Sequence, residues 1–482
     1  MTALSHSDVL IVGAGSAGSV LAATLSTDSA RTVTVLESGP GPAECGVGAL
    51  TRNGLQLPIG DVSPVVARYQ TELTDAPRRG AQLVRGATVG GSGAVNGGYF
   101  CRAMPSDIAG WDLPGWSWAD VLAHYLDIET DLDFPEHPEH GHTGPIPIRR
   151  TREFTGSSAT FIEAAEQAGF GWLPDLSSGT ALNSGVDGVG AVPLNIVGGV
   201  RTGPGAAFLE PAMSRPNLRI RTGVRAVRIQ ICGRRATGVE VIGPDGPEVL
   251  TADRIVLCCG AIGSAHLLML SGVGDEAHLR EIGIPLIVPA PVGRRFADHP
   301  EWVLPTNWAV APSRPVLEVV LSLQGELEIR PYTGGFIAMV GNSVSGHPDW
   351  PHLGVALMRP RSRGRLSLRS ADPAVPPRIE HRYDSVASDV EALRTGAEIA
   401  RHLASAATEI GEPAWATSQH LCATAPMGAD GDTMAVTDPS CRVRGVDGLW
   451  VIDGSVLPAV PSRGPHATIV MLAHRAAQLL SG

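Results

Sequence analysis

The sequence predicts an α/β protein in which a Rossmann-like dinucleotide-binding domain carries an inserted α+β domain built on an antiparallel sheet. An apolar run at residues 9–12 precedes a loop with three glycines in the spacing G-x-G-x-x-G, namely Gly13, Gly15 and Gly18. A second strand–glycine–helix pattern follows near residue 260. Alternating apolar and polar residues across 300–370 predict the antiparallel sheet.

The first of these patterns is a complete βαβ unit. Residues 9–12 predict a buried strand, residues 16–25 a helix, and residues 32–36 a second strand that ends at Glu37. The glycines permit a tight turn and close approach of the backbone to a pyrophosphate, and the helix N terminus offers amide donors to its phosphates. Glu37 can accept hydrogen bonds from an adenosine ribose. The unit predicts a dinucleotide site and leaves NAD and FAD both open.

The remaining elements are predicted from the same periodicities. Residues 39–80 are expected to be loop-rich, and residues 217–257 predict a β-meander. Ser117 can cap a helix that begins at Trp118. A short buried strand is expected at 449–452, and three more helices are predicted at residues 160–168, 389–407 and 467–480.

Composition excludes several classes of function. The chain has 482 residues, a net charge of −11 and no basic run, which argues against a nucleic-acid partner. No run of 18 apolar residues occurs, so no transmembrane segment is predicted. The first strand begins by residue 9, which leaves no room for a signal peptide and makes the cytoplasm the expected location. All 37 basic residues are arginine, so lysine chemistry is excluded.

A metal site is not expected. The seven cysteines include no C-x-x-C pair, which argues against zinc and against a disulfide framework. The histidines at 137, 140 and 142 lie in a Gly- and Pro-rich turn. His420 and His466 lie 46 residues apart, in predicted loops, without a third ligand at useful spacing. Two imidazoles suit alcohol oxidation instead, since one can take the hydroxyl proton and the other can bond the developing alkoxide. From spacing alone, two unrelated loop histidines are an equal alternative.

The motifs together make the whole chain resemble the glucose–methanol–choline (GMC) family of flavin oxidoreductases. The segments that carry the resemblance follow the family's order: GAGSAG at 13–18, GATVGGSGAVNGG at 86–98, WDLPGWSW at 111–118, HGHTGP at 140–145, CCGAIGSAHLLMLSGVG at 258–274, VGRRFADHP at 292–300 and LWVIDGSVLPAVPSRGPHATIVM at 449–471. The resemblance implies FAD as the cofactor, a Rossmann-like FAD-binding domain, and a hydroxyl compound as the hydride donor.

The resemblance also implies the residues that bind FAD. The first βαβ unit holds adenosine and pyrophosphate, and later segments hold the flavin. Some relatives attach FAD through a histidine at the position that is Val95 here, so non-covalent FAD is expected. The implied cofactor-binding residues are Gly13, Gly15, Ser16, Ala17, Gly18, Glu37, Gly90, Gly91, Ser92, Asn96, Ala226, Asp453, Gly454 and Thr468.

The resemblance makes His420 and His466 the catalytic pair. The stretch after His420, residues 423–428, departs from the family pattern, which puts substrate contacts inferred from relatives in doubt. Arg463 also departs, since relatives carry small polar residues there. A solvated loop arginine is the expectation, and binding of an acidic substrate group is the alternative.

The predicted activity is oxidation of a CH–OH donor by hydride transfer to flavin N5, with a dehydrogenase favoured over an oxidase. The compact length and the run GGSGAVNGGYFCRA resemble the branch associated with mycofactocin. That resemblance implies reoxidation of reduced mycofactocin, with electrons passed to a respiratory acceptor and peripheral membrane contact as an option. The alternatives are an oxidase that uses oxygen, an NAD-dependent dehydrogenase, and a non-catalytic flavoprotein.

The two predicted domains are interleaved along the chain. We expect the FAD-binding domain at residues 1–150, 200–300 and 430–482. We expect the substrate-binding domain at 151–199 and 301–429, with most of the substrate pocket formed by the second of these segments.

Overall fold

The computed structural model describes residues 6–179, 186–311, 313–339, 349–405 and 410–481. Its strands are β1 His6–Val12, β2 Val33–Leu36, β3 Val66–Asp75, β4 Arg78–Gly86, β5 Glu129–Asp131, β6 Ile146–Ile148, β7 Trp172–Leu173, β8 Gly188–Ala191, β9 Ile196–Val197, β10 Val200–Arg201, β11 Leu218–Arg221, β12 Arg225–Cys232, β13 Arg235–Gly243, β14 Gly246–Leu257, β15 Val273–Gly274, β16 Val288–Pro289, β17 Pro300–Pro305, β18 Val319–Leu323, β19 Leu327–Pro331, β20 His352–Leu357, β21 Arg365–Ser367, β22 Arg378–Glu380, β23 Ala414–Thr417 and β24 Leu449–Val451.

The α-helices are α1 Ser16–Leu25, α2 Val47–Arg52, α3 Pro105–Ala109, α4 Trp118–Ile128, α5 Ser157–Gln167, α6 Glu210–Ala212, α7 Gly260–Leu270, α8 Glu276–Ile282, α9 Phe336–Met339, α10 Ala387–Leu403 and α11 His466–Ser481. Helix α4 begins as predicted, because the Ser117 hydroxyl accepts a hydrogen bond from the amide of Asp120 and the Asp120 carboxylate accepts one from the amide of Ser117. Among the described residues, no helix combines the length and the apolar character that crossing a bilayer requires.

The predicted Rossmann-like sheet has seven strands in the order β11-β2-β1-β14-β13-β12, with β24 also paired to β14. Strands β11, β2, β1, β14 and β24 pair in parallel. Strand β14 is 12 residues long and pairs with three strands. Its first half pairs antiparallel with β13, and its second half lies between β1 and β24. Helices α1 and α11 pack against each other over this sheet. Residues 9–12 of β1 and all of β2 are buried, as expected for strands that are nearly continuous apolar runs.

Two predictions about these segments need correction. Strand β11 does not join the meander at 217–257, since it pairs in parallel with β2 on the opposite side of the sheet. The segment 39–80 contains more than loops, because residues 66–75 and 78–86 form a long antiparallel hairpin. Both strands are rich in polar residues and few of their residues are fully buried, so the segment lacks the apolar content by which a strand is recognised.

The predicted antiparallel sheet is also present. Its order is β23-β17-β20-β19-β18-β8-β7, and its pairs are antiparallel except for β7 with β8. Helices α5 and α10 cover it through a core that includes Phe161, Leu321, Val355 and Leu393. The helix predicted at 389–407 ends at Leu403, and residues 406–409 lie outside the described ranges.

A third sheet ties distant parts of the chain together. Its order is β21-β22-β3-β4, so residues 365–380 pair with the hairpin at 66–86. At the other end of the hairpin, the Gln419 side chain accepts a hydrogen bond of 2.8 Å from the amide of Val84. The segment that carries His420 is thereby anchored to the first 90 residues.

Candidate cofactor site and active site

The glycine turn after β1 uses its three glycines in different ways. A Cβ at Gly13 would lie 2.5 Å from the carbonyl oxygen of Cys258, and Gly13 has a φ of +103°. A Cβ at Gly18 would lie 1.9 Å from the carbonyl oxygen of Gly13. At Gly15 the nearest atoms would be 3.8 Å away. Gly13 and Gly18 therefore permit backbone packing, while Gly15 keeps open the space at the N terminus of α1.

Glu37 lies at the buried end of β2, beside this turn. Its carboxylate accepts hydrogen bonds from the amides of Ala14, at 3.0 Å, and Gly39, at 2.9 Å. Burial raises the pKa of Glu37, and these hydrogen bonds oppose that rise. The amide of Val224 donates to the carbonyl of Glu37 at 2.9 Å, which places β12 and its Ala226 next to the same turn. The predicted adenosine contacts are thus adjacent in space.

The second glycine loop packs directly on the first. Gly90 and Gly91 have φ values of +91° and +54°. A Cβ at Gly91 would lie 2.6 Å from the Cα atom of Gly15, so the two loops touch through glycines on both sides. The Ser92 hydroxyl accepts a hydrogen bond of 3.1 Å from the amide of Gly86, which closes the loop on itself. Together the two loops form a backbone-lined cradle.

Asp453 follows β24 and is saturated by protein donors. Its carboxylate accepts hydrogen bonds from the amide of Gly260 at 2.9 Å and from the hydroxyl of Ser264 at 2.6 Å. It also accepts from the amide and the hydroxyl of Ser455, at 2.8 and 2.6 Å. Burial raises the pKa of Asp453, and these bonds oppose the rise. The carboxylate thereby joins β24 and Gly454 to the second strand–glycine–helix crossover.

Two other predicted cofactor contacts have side chains that face into the protein. Ala17 lies in the first turn of α1 and is buried in the core. The hydroxyl of Thr468 is buried and lies 2.9 Å from the hydroxyl of Tyr125. The side chain of Ser16, in contrast, lies near His466. A Cβ at Gly93 would lie 2.6 Å from the Oγ atom of Ser16 and 2.6 Å from the Nε2 atom of His466. Gly93 therefore marks the point where the glycine loops meet His466 of the predicted catalytic pair.

His466 is the first residue of α11 rather than a loop residue, which corrects the sequence prediction. Its Nδ1 atom lies 3.2 Å from the side-chain amide nitrogen of Asn96, and its ring meets Phe100 edge to face. Its Nε2 atom is buried and has no hydrogen-bond partner within the described ranges. Burial lowers the pKa of His466 to about 4, and the charge of Arg201 adds to the shift. The imidazole is therefore neutral near pH 7.

Asn96 was predicted as a cofactor contact, and the structure places its amide against His466. The Oδ1 atom of Asn96 accepts a hydrogen bond of 2.9 Å from the amide of Gly98. This bond fixes which end of the Asn96 amide faces the imidazole. The amide nitrogen donates to Nδ1 of His466, so the single proton of the neutral ring belongs on Nε2.

His420 is held by a second histidine that the sequence analysis did not single out. The Nδ1 atoms of His420 and His299 lie 2.9 Å apart. Burial lowers the pKa of His299 to about 4, and Arg330 adds to the shift. Burial, followed by His299 and Arg330, lowers the pKa of His420 well below its ordinary value. Both rings are therefore neutral near pH 7 and share one proton between their Nδ1 atoms.

A buried aspartate fixes this histidine pair. The Oδ1 atom of Asp298 accepts from the amides of His420, at 2.7 Å, and His299, at 2.8 Å. Its Oδ2 atom accepts from Nε2 of His381 and from the hydroxyl of Thr417, each at 3.0 Å. Burial acts to raise the pKa of Asp298, but the hydrogen bond from His381 and neighbouring positive charge hold it at about 2. The only sequence signal for these residues was the segment VGRRFADHP, to which no role was attached.

The loop before α11 brings the two predicted catalytic histidines to one place. A Cβ at Gly464 would lie 2.9 Å from the ring of Tyr99 and 3.6 Å from Cε1 of His420. Gly464 is two residues before His466. The structure therefore gathers His420, His466 and Tyr99 beside the second glycine loop.

Behind Tyr99 lies a buried network of charges. Glu328 accepts hydrogen bonds from the Tyr99 hydroxyl at 2.9 Å and from Arg330 at 2.8 Å, and it lies 3.4 Å from the guanidinium of Arg463. Arg330 also pairs with Glu301 at 3.3 Å. Arg463 is only 1% exposed, so the expectation of a solvated loop arginine is wrong. Glu328 lies buried on β19 and requires a nearby positive charge, which Arg330 and Arg463 supply.

The histidine-rich turn forms ion pairs. His140 is buried, with ring nitrogens 2.9 Å from Asp131 and 2.8 Å from Asp175. Burial opposes the charged ring, but its hydrogen bonds to these carboxylates raise the pKa of His140 to about 10. Arg150 pairs with both aspartates as well. Protonated His140 and Arg150 thus occupy the positions at which a cation would meet these carboxylates.

Comparison with known proteins identifies the family of the chain. Two family models, each described as GMC oxidoreductase, match residues 7–301 and 360–473. The chain is 41% identical to an uncharacterized GMC-type oxidoreductase of Rhodococcus erythropolis, over 100% of both proteins. It is 28% identical to the oxygen-dependent choline dehydrogenase of Staphylococcus xylosus, over 98% of this chain and 95% of that one.

A solved structure extends the comparison to the fold. The crystal structure of pyridoxine 4-oxidase from Mesorbium loti matches with a TM-score of 0.86 at 27% sequence identity, and the match covers 98% of each chain. The chain belongs to the GMC oxidoreductase family, whose members are FAD-dependent flavoproteins.

Proposed function

We propose that this protein oxidises a small hydroxyl-bearing donor by two electrons, with His420 as the base and His466 as the hydrogen-bond donor to the developing alkoxide. The observation that carries the proposal is the convergence of the two imidazoles beside Gly464, each held by a different protein partner. The relatives support the donor class, since choline and pyridoxine, after which two of them are named, both carry a CH–OH group.

The residues present fit FAD. The facing glycines 15 and 91 leave a backbone-lined cradle for a pyrophosphate at the N terminus of α1, and Glu37 lies beside it for the adenosine ribose. Val95 offers no nucleophile, which supports non-covalent binding. When bound, the flavin supplies the hydride acceptor, and the chain's own residues bind, orient and handle the proton.

His466 acts as a donor in this proposal because of its tautomer. The amide of Asn96 occupies Nδ1 of His466, so Nε2 carries the proton. Nε2 is the buried nitrogen without a protein partner. A donor of this kind, placed before an oxygen that gains negative charge, stabilises the transition state more than the ground state.

His420 has the complementary arrangement. We assign the shared proton to Nδ1 of His420, which leaves the proton of His299 on its Nε2, a buried nitrogen without a hydrogen-bond partner among the described residues. Nδ1 of His299 then accepts from Nδ1 of His420, so Nε2 of His420 keeps a lone pair and can take the hydroxyl proton. The imidazolium that forms is close to ionised Asp298, whose charge stabilises it.

The charges around the site favour a neutral donor. Glu301 and Glu328 are both paired with Arg330, and Glu328 is also close to Arg463. Neither carboxylate is left free to attract a cationic substrate group, nor is Arg330 left free to attract an anionic one. An uncharged alcohol therefore suits the wall behind Tyr99 best.

The electron acceptor is a further part of the proposal. A dehydrogenase is favoured over an oxidase on the resemblance carried by GGSGAVNGGYFCRA, with reduced mycofactocin as a candidate donor and a respiratory acceptor for the electrons. The relatives' names include both a dehydrogenase and an oxidase. Turnover with oxygen and with an artificial acceptor, measured side by side, separates the two.

The experiment that tests the proposal is anaerobic flavin reduction by a panel of neutral alcohols and by reduced mycofactocin. His420→Ala and His466→Ala should each slow reduction, with about 10²–10⁴-fold expected for loss of the base. His402→Ala, an exposed histidine at the end of α10, is the matched control and should reduce at the wild-type rate. Rates near wild type in both active-site variants would overturn the proposal.

A further inference from the structure

A cavity lies outside the residues assigned to the cofactor and to catalysis. Its volume is about 410 Å³, within the range of small-molecule sites. Its wall is dominated by arginine and includes a single acidic residue: Arg294, Arg295, Arg363, Arg365, Arg382 and Asp275. This concentration is unusual in a chain whose net charge is −11.

Most of these arginines have no counter-ion. Within the described part of the chain, Arg294, Arg295 and Arg365 form no ion pair and no side-chain hydrogen bond. Arg363 donates to the backbone carbonyls of Pro360 and Ser362 and forms no ion pair within the described ranges, although the charge of Asp389 acts on it. Arg382 is the exception, since it pairs with Asp75 at 3.0 Å.

The single acid of the wall does not offset them. The Oδ1 atom of Asp275 accepts a hydrogen bond of 3.0 Å from the amide of His278, as the N-cap of α8. One carboxylate committed to a helix cap faces five guanidinium groups. The cavity is therefore strongly positive at neutral pH.

The backbone holds the like charges together. The amide and carbonyl of Phe296 each bond to Gly364 at 3.0 Å, and the amide of Leu366 donates to the carbonyl of Gly293 at 2.9 Å. A Cβ at Gly293 would lie 2.3 Å from the carbonyl oxygen of Leu366, and one at Gly364 would lie 2.2 Å from the ring of Phe296. Residues 294–295 and 363–365 thus stay side by side, although their charges repel.

We propose that this cavity is a binding site for a small polyanion, a molecule with two or more phosphate or carboxylate groups. Guanidinium groups bind such oxyanions through paired N–H donors, and several arginines converging from separate segments match several oxyanion groups at once. The residues of the wall are distinct from those assigned to FAD and to the histidine pair. The site is therefore additional to the proposed oxidation site, and the proposal does not depend on the proposed function.

Calorimetric titration of the FAD-loaded protein tests this proposal, because the bound cofactor already fills the pyrophosphate cradle. Pyrophosphate and citrate are the two probes, so that phosphate and carboxylate recognition are distinguished. We expect saturable one-to-one binding of at least one probe. Arg295→Glu with Arg365→Glu should weaken it by about 10-fold or more, as loss of charge-assisted hydrogen bonds predicts.

The matched control is Arg219→Glu with Arg234→Glu, which makes the same change in net charge at exposed arginines elsewhere. It should leave the affinity unchanged. Flavin absorbance establishes that each variant is folded and loaded, and Arg295→Gln with Arg365→Gln repeats the test with a smaller change in charge. Absence of binding, or equal weakening in the test and control variants, would overturn the proposal.

Discussion

The Nδ1 atoms of His299 and His420 lie 2.9 Å apart, and one proton joins the two neutral rings. Because His299 is itself fixed by Asp298 through its backbone amide, the contact determines how the His420 ring is oriented. The His299 ring contacts the His420 ring, so we infer that its role is to position His420.

Replacing His299 should therefore slow the reaction through His420. His299→Ala removes the hydrogen-bond partner of His420, and a net hydrogen bond is worth about 0.5–1.5 kcal/mol, or roughly 2–10-fold in rate. The measurement is the limiting rate of anaerobic flavin reduction. A His299→Ala/His420→Ala double variant should be no slower than His420→Ala alone, since residues that act as a unit are not additive. Independent, multiplicative losses would contradict the positioning role.

The pH dependence of the wild-type reaction should lack the ordinary histidine titration. Burial lowers the pKa of His466 to about 4 and that of His420 well below its usual value, so both rings stay neutral as the pH falls past 6.5. The limiting rate of flavin reduction should be flat from pH 8 to about pH 5. A sigmoidal loss of rate centred near pH 6.5 would show that the base titrates as an ordinary exposed imidazole.

Asp298 should contribute to stability in a pH-dependent way. Its pKa is lowered from 3.8 to about 2 in the folded protein, which corresponds to about 2 kcal/mol at neutral pH. This stability is present above the unfolded pKa and is lost as the pH falls through the folded one. In urea titrations at pH 7, the free energy of unfolding of wild type should exceed that of Asp298→Asn by about that amount. The difference should begin to shrink below about pH 4. A difference that does not change with pH would show that charge is not its source.

Gly93→Ala should impair catalysis, and its flavin content must be checked because the new Cβ would also lie 2.6 Å from Oγ of Ser16, a predicted cofactor contact. The new Cβ would lie 2.6 Å from Nε2 of His466, so the imidazole must move. A displacement of about 1 Å can cost about 10²-fold in rate. Gly171→Ala is the control, because a Cβ there meets no atom within 4 Å. Stopped-flow reduction and flavin content should be measured together, and an unchanged rate in Gly93→Ala would remove His466 from the reaction.

Local signals explain which parts of the fold could be predicted. Helix α1 follows a glycine turn, and α4 begins after the capping residue Ser117. The start of each helix is therefore specified by nearby residues. The hairpin at 66–86 was missed because its support comes from β22, about 300 residues away. Family membership, rather than the βαβ unit itself, decides between NAD and FAD.

In the candidate site as well, some residues could be predicted from motifs and others depend on long-range contacts. His420 and His466 were found through motifs, yet their partners depend on contacts across the chain: Asn96 meets His466 over a separation of 370 residues, and His299 meets His420 over 121. Arg463 was misjudged because its counter-ion, Glu328, lies on a strand 135 residues earlier. Motifs identify such residues, but their tautomers and charges follow only from the neighbours that the fold supplies.

The division of labour between His420 and His466 is tested most directly by the pH dependence of anaerobic flavin reduction in the two alanine variants. His420→Ala lacks the base, so its residual rate should rise about tenfold per pH unit as the donor hydroxyl ionises without help. His466→Ala keeps the base and should be slow but nearly flat over the same range. The opposite pattern, with a steep profile in His466→Ala and a flat one in His420→Ala, would contradict the assignment.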